Sequence, residues 1–281
     1  MSKTANAVTE EQRYWNEEGG QRWVEHIDRI EPMLERFSVH LTAAIDAHAG
    51  ERILDIGCGG GPTSATYAHL VGADGYVLGA DISEVILALA RSRYAALKQL
   101  HFETVDAAQH DFAPASFDVV TSRYGVMFFP EPVVAFTNLR RALKASGRLR
   151  LLVWRPLDDN PWMALPARAA FEIIPAPAKP LPGTPGPFSL SKPEHVRSIL
   201  AEAGFADIEI SPVDEPIDLG SVDNALDWLS KMGPAARPLS EAAPDLREEA
   251  QAAMRRVLVE HAGGDGVRFS GAAWLLSANP A

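Results

Sequence analysis

Short apolar runs alternate with helical patterns through the middle of the chain. The sequence predicts strands at 52–56, 76–80, 102–106, 116–122 and 148–154, with helices between them at 62–71, 84–98 and 131–143. Strands and helices that alternate in this way are typical of parallel strands joined by right-handed crossovers. The pattern therefore predicts an α/β fold built on a mostly parallel sheet.

Two helices are predicted before the first strand. The first lies in a polar and aromatic stretch that contains Tyr14, Trp15 and Trp23. The second covers 31–48, because Pro32 suits a first helical turn and apolar residues then recur at helical spacing. Packing in the core is the simplest interpretation of each tryptophan taken alone.

A proline-rich segment follows the fifth predicted strand. Nine prolines lie between residues 155 and 190, which predicts a loop or lid on the ligand side of the sheet. A helix at 190–204 and strands at 205–211 and 267–277 follow, with helices at 221–231 and 240–261 between those strands. We divide a single domain, 1–281, into an N-terminal helical cap (1–48), a core (49–154), a lid (155–190) and a C-terminal sheet edge (191–281) with a helical insertion at 214–265.

Composition narrows the range of ligands. The net charge is −11 and no cluster of five or more basic residues occurs, which argues against nucleic acid and anionic lipid as partners. One cysteine excludes an internal disulfide, the polar N-terminus lacks an apolar signal core, and no apolar run approaches the roughly 20 residues that span a bilayer. The expectation is a cytoplasmic protein without a membrane span that acts on small molecules.

The most informative stretch is a glycine cluster directly after the first predicted strand. It has the form Asp55-x-Gly57-x-Gly59-x-Gly61 and is followed by Pro62, which suits the first turn of a helix. The N-terminus of that helix would favour a small polar or anionic ligand. A dinucleotide-binding turn is the competing interpretation, although its G-x-G-x-x-G pattern would have Pro62 in the third glycine position.

Two further aspartates end predicted strands. Asp81 follows the second strand, where an acidic side chain can accept hydrogen bonds from ribose hydroxyls, and Asp106 ends the third strand. Asp81 could instead cap the next helix, but Ser83 is suited to that role. Because the carboxyl ends of parallel strands meet at one edge of the sheet, we expect Asp55, Asp81 and Asp106 to converge there.

These features, in this order, resemble the class I S-adenosylmethionine (SAM)-dependent methyltransferases. The resemblance covers residues 51–154, and the stretch from Arg123 to Pro132, RYGVMFFPEP, resembles the ubiquinone/menaquinone-biosynthesis type and its small-molecule relatives. It implies a Rossmann-like, seven-stranded, mostly parallel sheet with helices on both faces, an antiparallel last strand, and helical cap and lid insertions.

The resemblance also implies a cofactor and the residues that bind it. SAM would be the methyl donor and S-adenosylhomocysteine the product. Asp55 and the glycines would border the methionine half, Asp81 the ribose, Asp106 with Ala107 the adenine, and Ser122 with Arg123 the amino and carboxylate ends. The implied cofactor site comprises Asp55, Gly57, Cys58, Gly59, Gly61, Thr63, Asp81, Ile82, Asp106, Ala107, Ser122 and Arg123.

The methyl acceptor would be a small molecule that receives the methyl group on oxygen, nitrogen or carbon by in-line displacement. Its pocket is expected to come from the added segments, with Tyr14, Trp15, Trp23, Met127 and Trp162 as candidates. No catalytic residue is singled out, because positioning alone can supply much of the rate of methyl transfer. No metal-ligand spacing is found, and a homodimer is left open.

Two other functions fit parts of this pattern. An NAD(P)-dependent Rossmann oxidoreductase also uses a glycine turn and an acid after the second strand, but it usually has a separate substrate domain. A regulatory protein that binds SAM without catalysing a reaction would keep the same turn. The identity of the bound nucleotide distinguishes the first alternative, and an acceptor cavity distinguishes the second.

Overall fold

The structure is a computed structural model that describes residues 10–178, 180–181 and 183–281. The first nine residues of the predicted N-terminal cap lie outside the described part. The strands are β1 (Arg52–Ile56), β2 (Tyr76–Asp81), β3 (Leu100–Thr104), β4 (Phe117–Arg123), β5 (Leu143–Trp154), β6 (Phe205–Asp218), β7 (Ala262–Gly263) and β8 (Gly266–Pro280). The helices are α1 (Glu10–Asn16), α2 (Glu18–Ile45), α3 (Pro62–Val71), α4 (Glu84–Arg93), α5 (Pro132–Ala142), α6 (Pro161–Phe171), α7 (Pro193–Glu202), α8 (Val222–Met232), α9 (Ala236–Glu241) and α10 (Pro244–Glu260).

The main path of the sheet has the order β3-β2-β1-β4-β5-β8-β6, and the short β7 pairs with β8. The pairs among β1 to β5 are all parallel, whereas β8 runs antiparallel to both of its neighbours. This arrangement confirms the predicted Rossmann-like sheet with an antiparallel last strand. It places the carboxyl ends of β1, β2 and β4 side by side, which is where an open α/β sheet binds ligands.

Helix α2 differs most from the sequence-based prediction. A helix was expected to begin near Pro32, yet α2 runs from Glu18 to Ile45 with Pro32 in its interior. An interior proline costs about 3 kcal/mol. The apolar stripe on either side of it, which is buried against the rest of the protein, offsets that cost: Ile27, Ile30, Leu34, Phe37, Leu41 and Ile45.

Other boundaries also differ from the prediction. The segment 155–190 is not loop throughout, because α6 occupies Pro161–Phe171 with one proline in its first turn and Pro166 inside. Strand β6 continues to Asp218, so the predicted start of the last insertion, 214, lies within that strand, whereas the first helix of the insertion begins at Val222, one residue from its predicted start. Strand β3 ends at Thr104, which leaves Asp106 in the loop that follows.

Among the described residues, no helix is long and apolar enough to cross a membrane.

Phe37 joins α2 to the sheet, since its ring is fully buried and makes edge-on contacts with Tyr124 and Trp154 at centroid distances of 6.4 and 5.4 Å. Phe37→Ala should lower the free energy of unfolding by roughly 3–5 kcal/mol, because it leaves a cavity in the core. Urea denaturation measures this loss. Val39→Ala is the matched control on the same helix, because Val39 is 63% exposed and should change stability very little.

Candidate functional site

A cavity of about 270 Å³ opens at the carboxyl ends of β1, β2 and β4. Its walls come from the glycine loop after β1, the turns after β2, β3 and β4, helices α1 and α2, and the segments that follow β5. Twelve of the residues predicted from the sequence line it: Gly57, Cys58, Gly59, Asp81, Ile82, Asp106, Ala107, Arg123, Trp15, Trp23, Met127 and Trp162. The fold therefore brings most of the predicted cofactor and acceptor residues to one space.

The glycine loop is shaped by close contact between two backbones. Gly57 has a φ of +63°, and a Cβ added to it would lie 2.6 Å from the Cα of Gly125, in the loop after β4. Its N–H and that of Cys58 donate to the carbonyl of Ala80, at 2.8 and 3.3 Å. A side chain at position 57 would separate the two loops that form the floor of the cavity.

Asp81 ties the glycine loop to the turn after β2. One carboxylate oxygen accepts the N–H of Gly59 and the other accepts the N–H of Ser83, both at 2.9 Å. The helix α4 is capped by Ser83, whose hydroxyl accepts the N–H of Ile86. As the sequence suggested, Asp81 is thus left to face the cavity. Burial raises its pKa, and the backbone N–H donors oppose that shift.

Asp55 lies behind the loop and does not line the cavity. It is 1% exposed, and one carboxylate oxygen accepts the hydroxyls of Thr63 and Ser64, at 2.8 and 2.6 Å. Its other oxygen has no hydrogen-bond partner among the described residues. Burial raises the pKa of Asp55 to about 6, although the two hydroxyl donors and Arg123 act in the opposite direction. Its observed contacts anchor the first turn of α3, and its contact with a cofactor stays a prediction.

Three other predicted residues also lie outside the cavity wall. Ser122 donates to the carbonyl of Ile56 at 2.7 Å and accepts the N–H of Gly125 at 3.1 Å, so its hydroxyl joins β4 to β1. Gly61, with a φ of +83°, is the N-cap of α3, and Thr63 follows in that helix. These positions shape the loop from behind.

Arg123 supplies the positive charge of the cavity. Its guanidinium donates to the hydroxyl of Ser38 on α2 at 2.7 Å. Of the described lining residues, it is the one with a cationic side chain, whereas four carry carboxylates: Glu11, Glu31, Asp81 and Asp106. Glu31 is paired with Arg93 at 2.7 Å, and Asp106 accepts the N–H of Ala108 at 3.0 Å. The four carboxylates come from α1, α2, the end of β2 and the loop after β3, so this part of the cavity favours a ligand with net positive charge.

The N-terminal helices cover the glycine loop. The hydroxyl of Ser83 donates to the carbonyl of Trp15 at 2.6 Å. The side chain of Asn16 donates to the carbonyl of Ile82 and accepts the N–H of Glu84, both at 2.9 Å. We call these three hydrogen bonds the α1 latch. Sequence reasoning missed Asn16, because no local pattern links it to a turn more than 60 residues later.

The latch holds two predicted aromatic residues over the cavity. Trp15 contacts Trp23 and Phe128 edge-on, at centroid distances of 6.0 and 5.5 Å. A Cβ added to Gly59 would lie 3.6 Å from the indole nitrogen of Trp23. Tyr14 is 49% exposed and packs on the outer side of Trp15, outside the cavity wall.

Helix α2 continues over the glycine loop and reaches α8. A Cβ added to Gly60 would contact Ile27, so α2 lies directly on the loop. Arg29 donates to the carbonyl of Asn224 at 3.0 Å. One helix therefore contacts both the glycine loop and α8.

Four aromatic side chains that contact one another in series line part of the cavity, and we call them the aromatic wall. Tyr124 stacks on Trp154 at 4.1 Å, Trp154 contacts Trp162 at 5.6 Å, and Trp162 stacks on Trp228 at 5.6 Å. Only Trp162 was predicted, because Trp154 and Trp228 lie in elements that show only core-like periodicity. Tyr124 has a φ of +68°, a strained conformation that is often found at functional sites.

Among the described residues, no group of three or more histidine, cysteine, aspartate or glutamate side chains is arranged to hold a metal ion. The Cys58 thiol is buried, and burial raises its pKa well above the ordinary value. A high pKa disfavours the thiolate form that a nucleophile needs.

Comparison with known proteins agrees with this geometry. Residues 53–147 match the family model for a methyltransferase domain. The demethylmenaquinone methyltransferase of Clavibacter sepedonicus is 38% identical over 111 residues, which are 40% of this chain and 44% of that protein. The nocamycin O-methyltransferase of Saccharothrix syringae is 28% identical over 231 residues, which are 78% of this chain and 82% of that protein.

A solved structure extends the likeness in fold to nearly the whole chain. Phosphoethanolamine N-methyltransferase 2 of Haemonchus contortus, in complex with S-adenosyl-L-methionine, has a TM-score of 0.60 and 16% identity, and the match covers 98% of this chain and 61% of that one. The chain spans less than half the length of the Clavibacter relative. The resemblance predicted from the sequence is confirmed over residues 53–147, which match a methyltransferase domain.

Because the pKa of Asp55 is raised in the folded protein, we expect the free energy of unfolding to depend on pH. A carboxyl group that ionises near pH 6 when folded, and near 3.8 otherwise, stabilises the fold fully below the lower value, and this contribution is lost as pH rises through the higher one. Relative to Asp55→Asn, the free energy of unfolding of the wild type should therefore fall by about 2 kcal/mol between pH 4 and pH 7. Urea denaturation across this range measures the difference. Asp74→Asn, at an exposed position, is the control, and a pH-independent difference for Asp55→Asn would contradict the assignment.

The α1 latch predicts a local effect. Asn16→Ala removes two hydrogen bonds to the turn after β2, so the amides of α1 should exchange with solvent roughly 10-fold faster while the core stays protected. Hydrogen exchange with mass spectrometry measures this. Glu18→Ala is the control, since Glu18 pairs with Arg22 on the surface. Unchanged exchange in residues 10–16 would show that the latch does not hold α1.

Proposed function

We propose that this protein transfers the methyl group of SAM to an oxygen, nitrogen or carbon atom of a small-molecule acceptor. The observation that carries the proposal is a single cavity that runs from the glycine loop, Asp81 and Asp106 to the aromatic wall. A cofactor held at the first end and an acceptor held at the second would meet inside one enclosed space. This geometry suits direct transfer between two bound molecules.

The residues present fit SAM. The cofactor is cationic overall, and the described cavity wall sets four carboxylates against the one guanidinium of Arg123. Asp81 can accept hydrogen bonds from ribose hydroxyls with the lone pairs that Gly59 and Ser83 leave free. Arg123 suits the cofactor carboxylate, and Asp106 with Ala107 lies where the adenine is expected. When bound, SAM supplies an activated methyl group on its sulfonium.

The protein itself holds the two reactants in position and excludes water from them. Helix α1, which the latch holds in place, the long α2 and the segment containing α6 all contribute to the cavity wall. Holding two reactants in line within a dry site can contribute about 7–11 kcal/mol to lowering the barrier. Transfer under these conditions does not require a dedicated acid–base pair, and we assign no catalytic residue.

The two alternatives fit the structure less well. A dinucleotide-binding sheet has the all-parallel order 3-2-1-4-5-6, whereas β8 is inserted antiparallel between β5 and β6 here. A regulator without activity would not need a chamber beyond the cofactor end. The net charge of −11 supports our proposal that nucleic acid is not a partner, and the single buried cysteine suits a cytoplasmic protein.

Calorimetry with S-adenosylhomocysteine tests the cofactor assignment. The wild type should bind it, and Asp81→Ala should weaken binding by about 1.5–3 kcal/mol, the usual range for hydrogen bonds to a charged group. Asp74→Ala, which alters an exposed aspartate before the same strand, should bind like the wild type. Tight binding of NAD in place of S-adenosylhomocysteine would overturn the proposal. An Asp81→Ala variant with a lower melting temperature and full affinity would limit Asp81 to holding the loop.

A further inference from the structure

Trp228 brings an unpaired donor to the aromatic wall. This side chain is 6% exposed, it lines the cavity, and its indole N–H has no hydrogen-bond partner among the described residues. Leaving a buried donor unpaired is costly, and buried indole N–H groups usually find an acceptor. A ligand oxygen at this end of the cavity would provide one.

The rest of the wall limits what that ligand can be. Tyr124, Trp154, Trp162 and Trp228 contribute aromatic rings to the cavity wall, and Met163 and Met232 also line the cavity. Aromatic rings of this kind favour planar, conjugated molecules through stacked or edge-on contacts. The shape and chemistry of the wall therefore suit a planar acceptor that carries oxygen.

No side chain of the aromatic wall is a ready base. Its one titratable group is the phenol of Tyr124, and burial raises the pKa of that phenol well above its ordinary value of 10. The cavity carboxylates enter elsewhere: Glu11 from α1, Glu31 beside Gly60, Asp81 in contact with Gly59, and Asp106 after β3. An acceptor hydroxyl bound against the wall would have to lose its proton without help from these rings.

The charged groups around α8 lie on its outer side. Asp227 pairs with Lys231 at 2.6 Å and faces Arg29 and His26 of α2. Asp223 pairs with Arg255 of α10 at 2.6 Å. These side chains are not part of the cavity wall, and the Asp227, Lys231 and Arg29 side chains are 46%, 54% and 39% exposed.

We propose that the acceptor is a planar, conjugated molecule with an acidic phenol or enol, that it binds as its anion, and that Trp228 donates its indole N–H to an oxygen of that anion. This rests on the proposed function. The acceptor loses its proton to solvent before it binds, and its oxygen lone pair then forms the new bond to the methyl carbon. The carbon–sulfur bond breaks at the same time, and its electron pair returns to sulfur. A neutral thioether and a methylated acceptor result.

The test uses phenols of similar size and different acidity, namely 4-nitrophenol, 4-cyanophenol and phenol. Each is titrated, over a range of pH, into the full-length protein saturated with S-adenosylhomocysteine. Binding should strengthen as pH passes through the pKa of each probe, so the midpoint should move from one phenol to the next. A single midpoint shared by all probes would point to a base on the protein and would overturn the proposal, as would tighter binding of the neutral forms.

Substitution of Trp228 tests the hydrogen bond. Trp228→Phe keeps an aromatic ring and removes the donor, so affinity for 4-nitrophenolate should fall roughly 10- to 100-fold while affinity for neutral nitrobenzene stays the same. Trp274→Phe is the matched control, because the Trp274 indole donates to the carbonyl of Ser191 at 2.8 Å and Trp274 is not part of the cavity wall. If Trp228→Phe lowered the affinity for both ligands equally, Trp228 would serve only in packing, and the proposal would be contradicted.

A measurement on the wild type covers the case in which Trp228→Phe does not fold. The indole ¹⁵N–¹H signals of the six tryptophans are recorded with and without 4-nitrophenolate. A downfield shift of the Trp228 signal is expected, and a signal that does not move at saturation would overturn the proposal. Failure to bind S-adenosylhomocysteine would instead refute the proposed function, whereas binding of S-adenosylhomocysteine without any phenolate would refute this inference alone.

Discussion

The carboxylate of Asp81 connects the parts of this site. One oxygen holds the glycine loop through Gly59, and the other holds the turn after β2 through Ser83. The same turn receives α1 through the latch. This partly buried carboxylate therefore holds together the glycine loop and the turn on which α1 rests. Because Asp81 is the last residue of β2, the position of that strand in the sheet determines where the glycine loop, the turn after β2 and α1 meet.

Local sequence signals were sufficient for the centre of the sheet. The predicted limits of β1 and α3 are the observed ones, and β2 differs by one residue, because short apolar runs mark the two strands and Pro62 and Gly72 bound the helix. The limits of longer elements were harder to predict from the sequence. Pro32 would end a helix in isolation, but burial of an apolar stripe along α2 outweighs it. In the same way, the prolines in α6 mark its first turn and an interior position that packing tolerates.

The sequence predicted correctly those cavity residues that lie at the end of a strand or in the loop directly after it. Asp81, Asp106, Gly57 and Gly59 all reach the cavity for that reason. Asp55 shows the limit of the argument, since side chains alternate along a strand and this carboxylate faces the hydroxyls of α3. Contacts between distant parts of the chain, such as Asn16 with the turn after β2 or Trp162 with Trp228, leave no local signature.

Helix α2 has a mechanical consequence. The part of this helix that precedes Pro32 touches the glycine loop through Ile27 and α8 through Arg29, little more than half a turn apart. A displacement of this part of the helix would therefore disturb both contacts together. Release of the spent cofactor and of the methylated product would then be coupled through one helix.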